Sequence, residues 1–192
     1  MRRIVSMDPG TRNFALSVIK AKAVDGQLKY RVEGSSMLNT KNILHDMKTM
    51  QASIHRFLDY LDPVLSSGVT DIVIERFQAR GNKGPTIESI CCMIGALAAR
   101  YPHIQMTAYT AATWKNAYNR VSDLKELYED HKDLRKDKST SHIQIHQLDA
   151  TLMGLYHAAK HYSLTPYQFI TDLKTEKEVL ARLDSVQPLQ TL

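Results

Sequence analysis

Ile72-Val73-Ile74 constrains the fold more than any other stretch of this chain. Successive side chains of a β-strand point to opposite faces, so a strand that is apolar at every position has to be buried on both. A sheet covered by helices on each side offers that burial. The run ends at Glu75, an ionisable residue at the tip of a buried strand.

The flanking sequence supplies the other parts of such a sheet. Ile4, Val5 and Met7 form a short strand that stops at Asp8-Pro9-Gly10. Phe14, Leu16 and Val18 alternate with smaller or polar residues up to Ile19, Asp25-Gly26 marks a hairpin turn, and Leu28, Tyr30 and Val32 alternate again. The chain therefore opens with an antiparallel meander of three strands. The period then changes. Ile43, Leu44, Met47, Met50, Ile54, Phe57, Leu58 and Leu61 fall on one helical stripe, with Asp62-Pro63 expected to end it because a residue before proline avoids the helical region. Beyond the strand at 72–74, Gly81, Gly84 and Pro85 mark a loop and a helix start, and Ile87, Ile90, Cys91, Ile94, Leu97 and Ala98 form a second stripe. Ile104, Met106 and Ala108 suggest a fifth strand. Ser141-His142-Ile143-Gln144 has the capping-box pattern that opens a helix through Ile145, Leu148, Leu152, Leu155 and Ala159.

The order is three strands, then helix, strand, helix, strand, helix. It predicts an α/β domain, a mixed five-stranded sheet (three antiparallel strands, then parallel βα units) flanked by helices. One domain is expected over 1–165, with a charged helical insertion at about 115–140, followed by a helical tail at 166–192. The insertion holds seven basic residues against six acidic ones from 115 to 138, a balance that reads as a solvated surface.

Composition bounds the function. With 25 basic and 20 acidic residues the formal charge is +5, which excludes an acidic solvating tail and favours an anionic partner. Cys91 and Cys92 are adjacent and are the only cysteines, so they frame neither a disulfide scaffold nor a zinc ribbon. The apolar run after Met1-Arg2-Arg3 is too short for a signal peptide, and no window of 18 apolar residues spans a membrane. A cytoplasmic setting, in a bacterium or a phage-infected host, is expected.

The carboxylates give the chemistry. If the strands ending at Asp8 and Glu75 run parallel and adjacent, their ends lie about 4.8 Å apart, in the crevice where open α/β sheets place ligands. Like charges that close repel unless a cation lies between them, and oxygen ligands suit magnesium or manganese. His146 and Asp149, spaced i, i+3, project from one face of the last helix. Asp8, Glu75, His146 and Asp149 together suffice for two metals, an arrangement suited to phosphodiester hydrolysis. Each group also has a plainer reading. Asp8-Pro9-Gly10-Thr11 fits a strand-ending turn, or a phosphate loop of sugar-kinase and actin-like ATPases. Glu75 fits a surface residue, and His146 a helix-face histidine. Asp149 is harder to dismiss, since an unpaired carboxylate in an apolar helix is costly. His142 precedes His146 by four residues, but no further ligands support zinc.

Ser6-Met7-Asp8-Pro9-Gly10-Thr11-Arg12-Asn13 resembles the first motif of RuvC-type Holliday junction resolvases. Asp71-Ile72-Val73-Ile74-Glu75 with the basic loop after it resembles the second, and His146-Gln147-Leu148-Asp149-Ala150 the third. Gly95-Ala96-Leu97 is similar to a glycine-containing stretch of that family, and Thr113-Trp114-Lys115 falls where the family places a lysine after the fifth strand. The resemblance covers about 3–160 and looks most like a phage member. It implies an RNase H-like fold and a homodimeric endonuclease that uses two Mg2+ ions, with Mn2+ as a substitute, to nick four-way or branched DNA. By the same resemblance Asp8 bridges both metals, Glu75 holds one, His146 and Asp149 hold the other, and Lys115 acts on the attacking water or the phosphate. The family's aromatic three residues after the glutamate is displaced here, with Phe77 at the second position and Gln78 at the third.

The loop from Arg76 to Lys83 contains Arg76, Arg80 and Lys83 and no acid, which suits phosphate contact. Arg12, Lys136 and Lys138 are further candidates for DNA. Phe77 and Trp114 suit base stacking or a core or interface role equally well. Three alternatives remain: an RNase H-like nuclease for flaps or RNA–DNA hybrids, a junction-binding protein that does not cut, and a nucleotide-binding protein.

Overall fold

The computed structural model describes residues 1–10, 13–39, 50–76, 84–119 and 145–164. In chain order they form β1 (Arg2–Asp8), β2 (Asn13–Val24), β3 (Gln27–Asn39), α1 (Met50–Leu65), β4 (Asp71–Arg76), α2 (Gly84–Arg100), β5 (Gln105–Thr110), α3 (Ala111–Asn119) and α4 (Ile145–His161). The strands make one five-stranded sheet of order β3-β2-β1-β4-β5. β1 and β2 pair antiparallel, as do β2 and β3. β4 lies parallel to β1 on one side and to β5 on the other. This is the mixed sheet expected from the sequence. Asp25 and Gly26 both have positive φ, 52° and 72°, the backbone of a tight hairpin turn.

Alternation along the strands sorts the core into two layers. Val5, Met7, Phe14, Leu16, Val18, Ile72 and Ile74 pack with Phe57, Leu61, Ile90, Met93 and Leu97 of α1 and α2. Ile4, Ile19, Ala21 and Val73 pack on the other face, with Trp114 and Tyr118 of α3 and Leu148, Leu152 and Leu155 of α4. The continuous run at 72–74 is thus buried on both faces. Parity then fixes where the acids go. Asp8 shares the face of Ile4 and Ser6, and Glu75 shares that of Val73, so both lie on the α4 side. Their register places them together, since Met7 pairs with Ile74 in the parallel ladder.

α4 lies against this face, antiparallel to β1. His146 near its start meets Asp8, and His161 at its end accepts a hydrogen bond from Arg2. Gln147 to Leu155 are all buried, so α4 is enclosed beyond a single stripe. Gly154 permits the close approach. A Cβ there would lie 2.6 Å from Ile19 Cδ1 and 2.9 Å from Ser6 Cβ.

Several local expectations need correction. α1 does not stop at Asp62-Pro63 but runs on to Leu65. Val64 and Leu65 are buried and Pro63 is exposed, so core packing outweighs the backbone bond that proline cannot make. On α2 Cys91 and Ala98 are exposed, and the buried line is Ile90, Met93 and Leu97, continued by Tyr101 beyond the helix. Two candidates one residue apart, such as Ile90 and Cys91, point about 100° apart on a helix, and only one faces the sheet. α3 starts at Ala111, four residues before the expected helical insertion. Lys115 to Asn119 belong to it, and Tyr118 is fully buried, so the charged stretch begins inside the packed layer. The rest of 115–140, the capping box at 141–144, and the tail at 166–192 lie outside the described residues. Among the described residues no helix is long and apolar enough to cross a membrane.

Candidate active site

Four elements deliver the site. β1 ends at Asp8 and β4 carries Glu75 next to its end, side by side in a parallel pair. α4 presents His146 and Asp149 on one face. α3 follows β5 without a gap and adds Trp114 and Lys115. Thr110 caps α3, its Oγ1 accepting from the Thr113 backbone N–H at 3.2 Å, which fixes the start of the helix and hence where Trp114 and Lys115 emerge.

Contacts link the groups in pairs. His146 Nδ1 lies 2.8 Å from Asp8 Oδ2. Lys115 Nζ donates to Asp149 Oδ2 at 2.6 Å. Trp114 Nε1–H donates to Glu75 Oε2 at 2.9 Å. Asp149 is 5% exposed, so its cationic partner answers the cost that marked it in the sequence.

The electrostatics tie the pairs into one site. Burial and the neighbouring Asp8 push the Glu75 carboxyl up, and Asp149 adds to this, against the hydrogen bond from Trp114 and the charge of Lys115. The hydrogen bond to Asp8 raises the His146 imidazole, helped by the charges of Asp8 and Asp149 and opposed by burial and Lys115. Three carboxylates, one imidazole and one ammonium therefore act on one another on one face of the sheet. The carboxylates outnumber the fixed cation, so the donor set is one that a hard divalent ion neutralises. Among the described residues no three acidic, imidazole or thiol groups already converge on one ion position. Each carboxylate is instead engaged by its internal partner. The residues fit divalent ions by chemistry, and binding requires that the His146–Asp8 and Lys115–Asp149 contacts give way to metal ones.

The structure brings together Asp8, Glu75, His146, Asp149 and Lys115, all five side chains that the sequence singled out for chemistry. Arg76 is exposed at the end of β4, beside Glu75. Arg12, Phe77, Arg80, Lys83, Lys136 and Lys138 lie outside the described residues. Trp114 is fully buried, which removes it from base stacking and makes it the partner of Glu75. Its role was missed by sequence reading. The available signal was that the chain's only tryptophan stands next to the lysine of the Thr113-Trp114-Lys115 block.

No protein-family model matches the chain, and no curated protein matches it by sequence. Solved structures do resemble it. Thermus thermophilus RuvC superposes with a TM-score of 0.59 at 18% identity, covering 84% of this chain and 96% of that one. T. thermophilus RuvC in complex with a Holliday junction substrate gives 0.57 at 18% identity, covering 83% and 95%. The yeast mitochondrial Holliday junction resolvase Ydc2 gives 0.55 at 15% identity, covering 91% and 84%. The chain therefore has the RNase H-like fold of these junction resolvases.

Proposed function

We propose that this protein is a divalent-metal-dependent endodeoxyribonuclease that resolves four-way or branched DNA, acting as a homodimer so that paired strands are nicked symmetrically. One observation carries the reading. The parallel register of β1 and β4, together with α4 lying across it, supports a common site for Asp8, Glu75, His146 and Asp149, whose charges act on one another on one face of the sheet. The shared fold with RuvC, a protein solved on a Holliday junction substrate, favours junction DNA over other nucleic acids.

In this reading Asp8, Glu75, His146 and Asp149 would together hold two Mg2+ ions, or Mn2+ in their place. Paired divalent ions supply an activated water and charge stabilisation at the leaving oxygen. Lys115, now engaged with Asp149, supplies a mobile ammonium that orients the water or the scissile phosphate. His146, now paired with Asp8, would supply an imidazole nitrogen to the metal. Arg76, Arg80 and Lys83 contact DNA phosphates and Phe77 stacks on a base, with Arg12, Lys136 and Lys138 adding phosphate contacts.

A substrate panel of four-way junctions, flaps, duplexes and RNA–DNA hybrids, run with and without Mg2+, tests the reading. Nicking is expected on junctions and only with the metal. Preferential cutting of flaps or hybrids would reassign the substrate. Asp8→Asn and Glu75→Gln should each abolish nicking and retain junction binding, because phosphate contacts do not depend on these carboxylates. Wild-type cleavage by either variant would defeat the site assignment.

A further inference from the structure

We propose that Trp114 is a positioning residue for Glu75: its indole N–H fixes one carboxylate oxygen, leaves the other for a divalent ion, and so sets the metal affinity of the site. The inference rests on the metal-dependent reading above.

The argument begins with how firmly the indole is held. Trp114 is 0% exposed, and so is Tyr118, one turn further along α3. The two rings meet edge to face, with centroids 6.4 Å apart and planes at 79°. The Tyr118 hydroxyl donates to the Leu152 carbonyl on α4 at 2.7 Å. The ring is thus pinned on the helix that carries His146 and Asp149. A rigid, buried N–H needs an acceptor, and leaving it unpaired is costly. Glu75 Oε2 is that acceptor at 2.9 Å, and among the described residues Glu75 Oε1 accepts from no donor. The bond therefore selects between two otherwise equivalent oxygens.

Lys115, the next residue, holds Asp149 Oδ2 at 2.6 Å, and its ammonium lies 4.9 Å from the Trp114 ring centroid. Consecutive residues of one short helix thus grip carboxylates from β4 and from α4. Because Lys115 is flexible and half-exposed whereas Trp114 is rigid, their roles differ. Lys115 can leave Asp149 as the site loads, while Trp114 stays on Glu75. A phenylalanine would fill much of the same core, so packing alone does not call for an N–H aimed at a carboxylate.

The chain has a single tryptophan, which makes the proposal directly measurable. A carboxylate bonded to the indole N–H sets the field along the ring, and a cation on the same carboxylate changes that field. Titrating the full-length protein with Mg2+, without DNA, should produce a saturable change in tryptophan emission that tracks Mg2+ binding by calorimetry. The change should be absent in Glu75→Gln. Trp114→Phe should weaken Mg2+ binding about 10–100-fold, as loss of an outer contact to a ligand does. Replacing Trp114 with benzothienylalanine, which exchanges the N–H for sulfur and keeps the shape, should weaken it as much while junction binding without metal is unchanged. Wild-type Mg2+ affinity in the benzothienylalanine protein would overturn the proposal and leave the nuclease reading standing. Absence of Mg2+ binding by the unmodified protein in calorimetry would overturn both.

Discussion

Asp71 stands at the far end of β4 from Glu75 and is 1% exposed. Its carboxylate accepts from Thr70 Oγ1 at 2.6 Å, faces Arg2 Nη1 at 3.3 Å and lies 3.5 Å from His157 Nε2. Tyr109 meets the other ring nitrogen of that histidine at 3.0 Å. Burial pushes the Asp71 carboxyl up, but the contacts from His157 and Thr70 and the charge of Arg2 outweigh it and hold the group below the ordinary aspartate range. A carboxyl depressed in the folded state contributes stability above its unfolded value, about pH 3.9, and loses it as pH falls through the folded value. Asp71→Asn should therefore cost about 2 kcal/mol near neutral pH, the scale of charged hydrogen bonds. Its stability should also fall less steeply than wild type in acid. Denaturant melts at pH 7 and pH 3 check both, and equal slopes would deny Asp71 the role. In the sequence this residue reads as the first of the Asp71-Ile72-Val73-Ile74-Glu75 block, with no sign of its own role. Its significance depends on Arg2 and His157, which no local pattern connects to it. Asp8 and Glu75 were legible because each directly follows an apolar strand run, a position that local pattern does reveal.

The helices divide in the same way at the scale of elements. α4 was readable from its leucines because its apolar positions repeat at helical spacing. α3 was hidden because nine residues are too few for a stripe, and its two buried aromatics are set among polar neighbours. Yet α3 supplies Trp114 and Lys115 to the pocket. Where α4 rests on the sheet is governed by Gly154, a position whose importance only the packing reveals. Gly154→Ala should push the helix outward from Ile19 and Ser6, costing about 1–3 kcal/mol for overpacking. It should also lower nicking, since His146 and Asp149 move with the helix. Ile19→Val deletes the closest atom, Cδ1, and should recover part of both losses in the double variant. Equal stability of Gly154→Ala and wild type would show that the sheet yields instead.

At the scale of the whole molecule the mixed sheet flanked by helices followed from periodicity, its strand order came from the structure, and the likeness to solved resolvases holds at the level of fold. Their sequences have diverged to 18% identity or less in the structures compared above, so the fold outlasts most side chains. The formal charge of +5 predicts salt-sensitive association with DNA. Arg76→Ala should weaken junction binding and reduce the slope of log affinity against log salt by about 0.9 if it holds one phosphate. Binding isotherms at several salt concentrations measure this, and an unaltered slope rejects the contact.

The bond between His146 and Asp8 joins residues 138 positions apart, so one side of the site comes from a strand and the other from a helix synthesised much later. A ribosome must deliver the chain well beyond residue 149 before the pocket exists at all. Until then the emerging polypeptide carries Asp8 and Glu75 without their counterparts, and the proposed chemistry has no assembled site to act from.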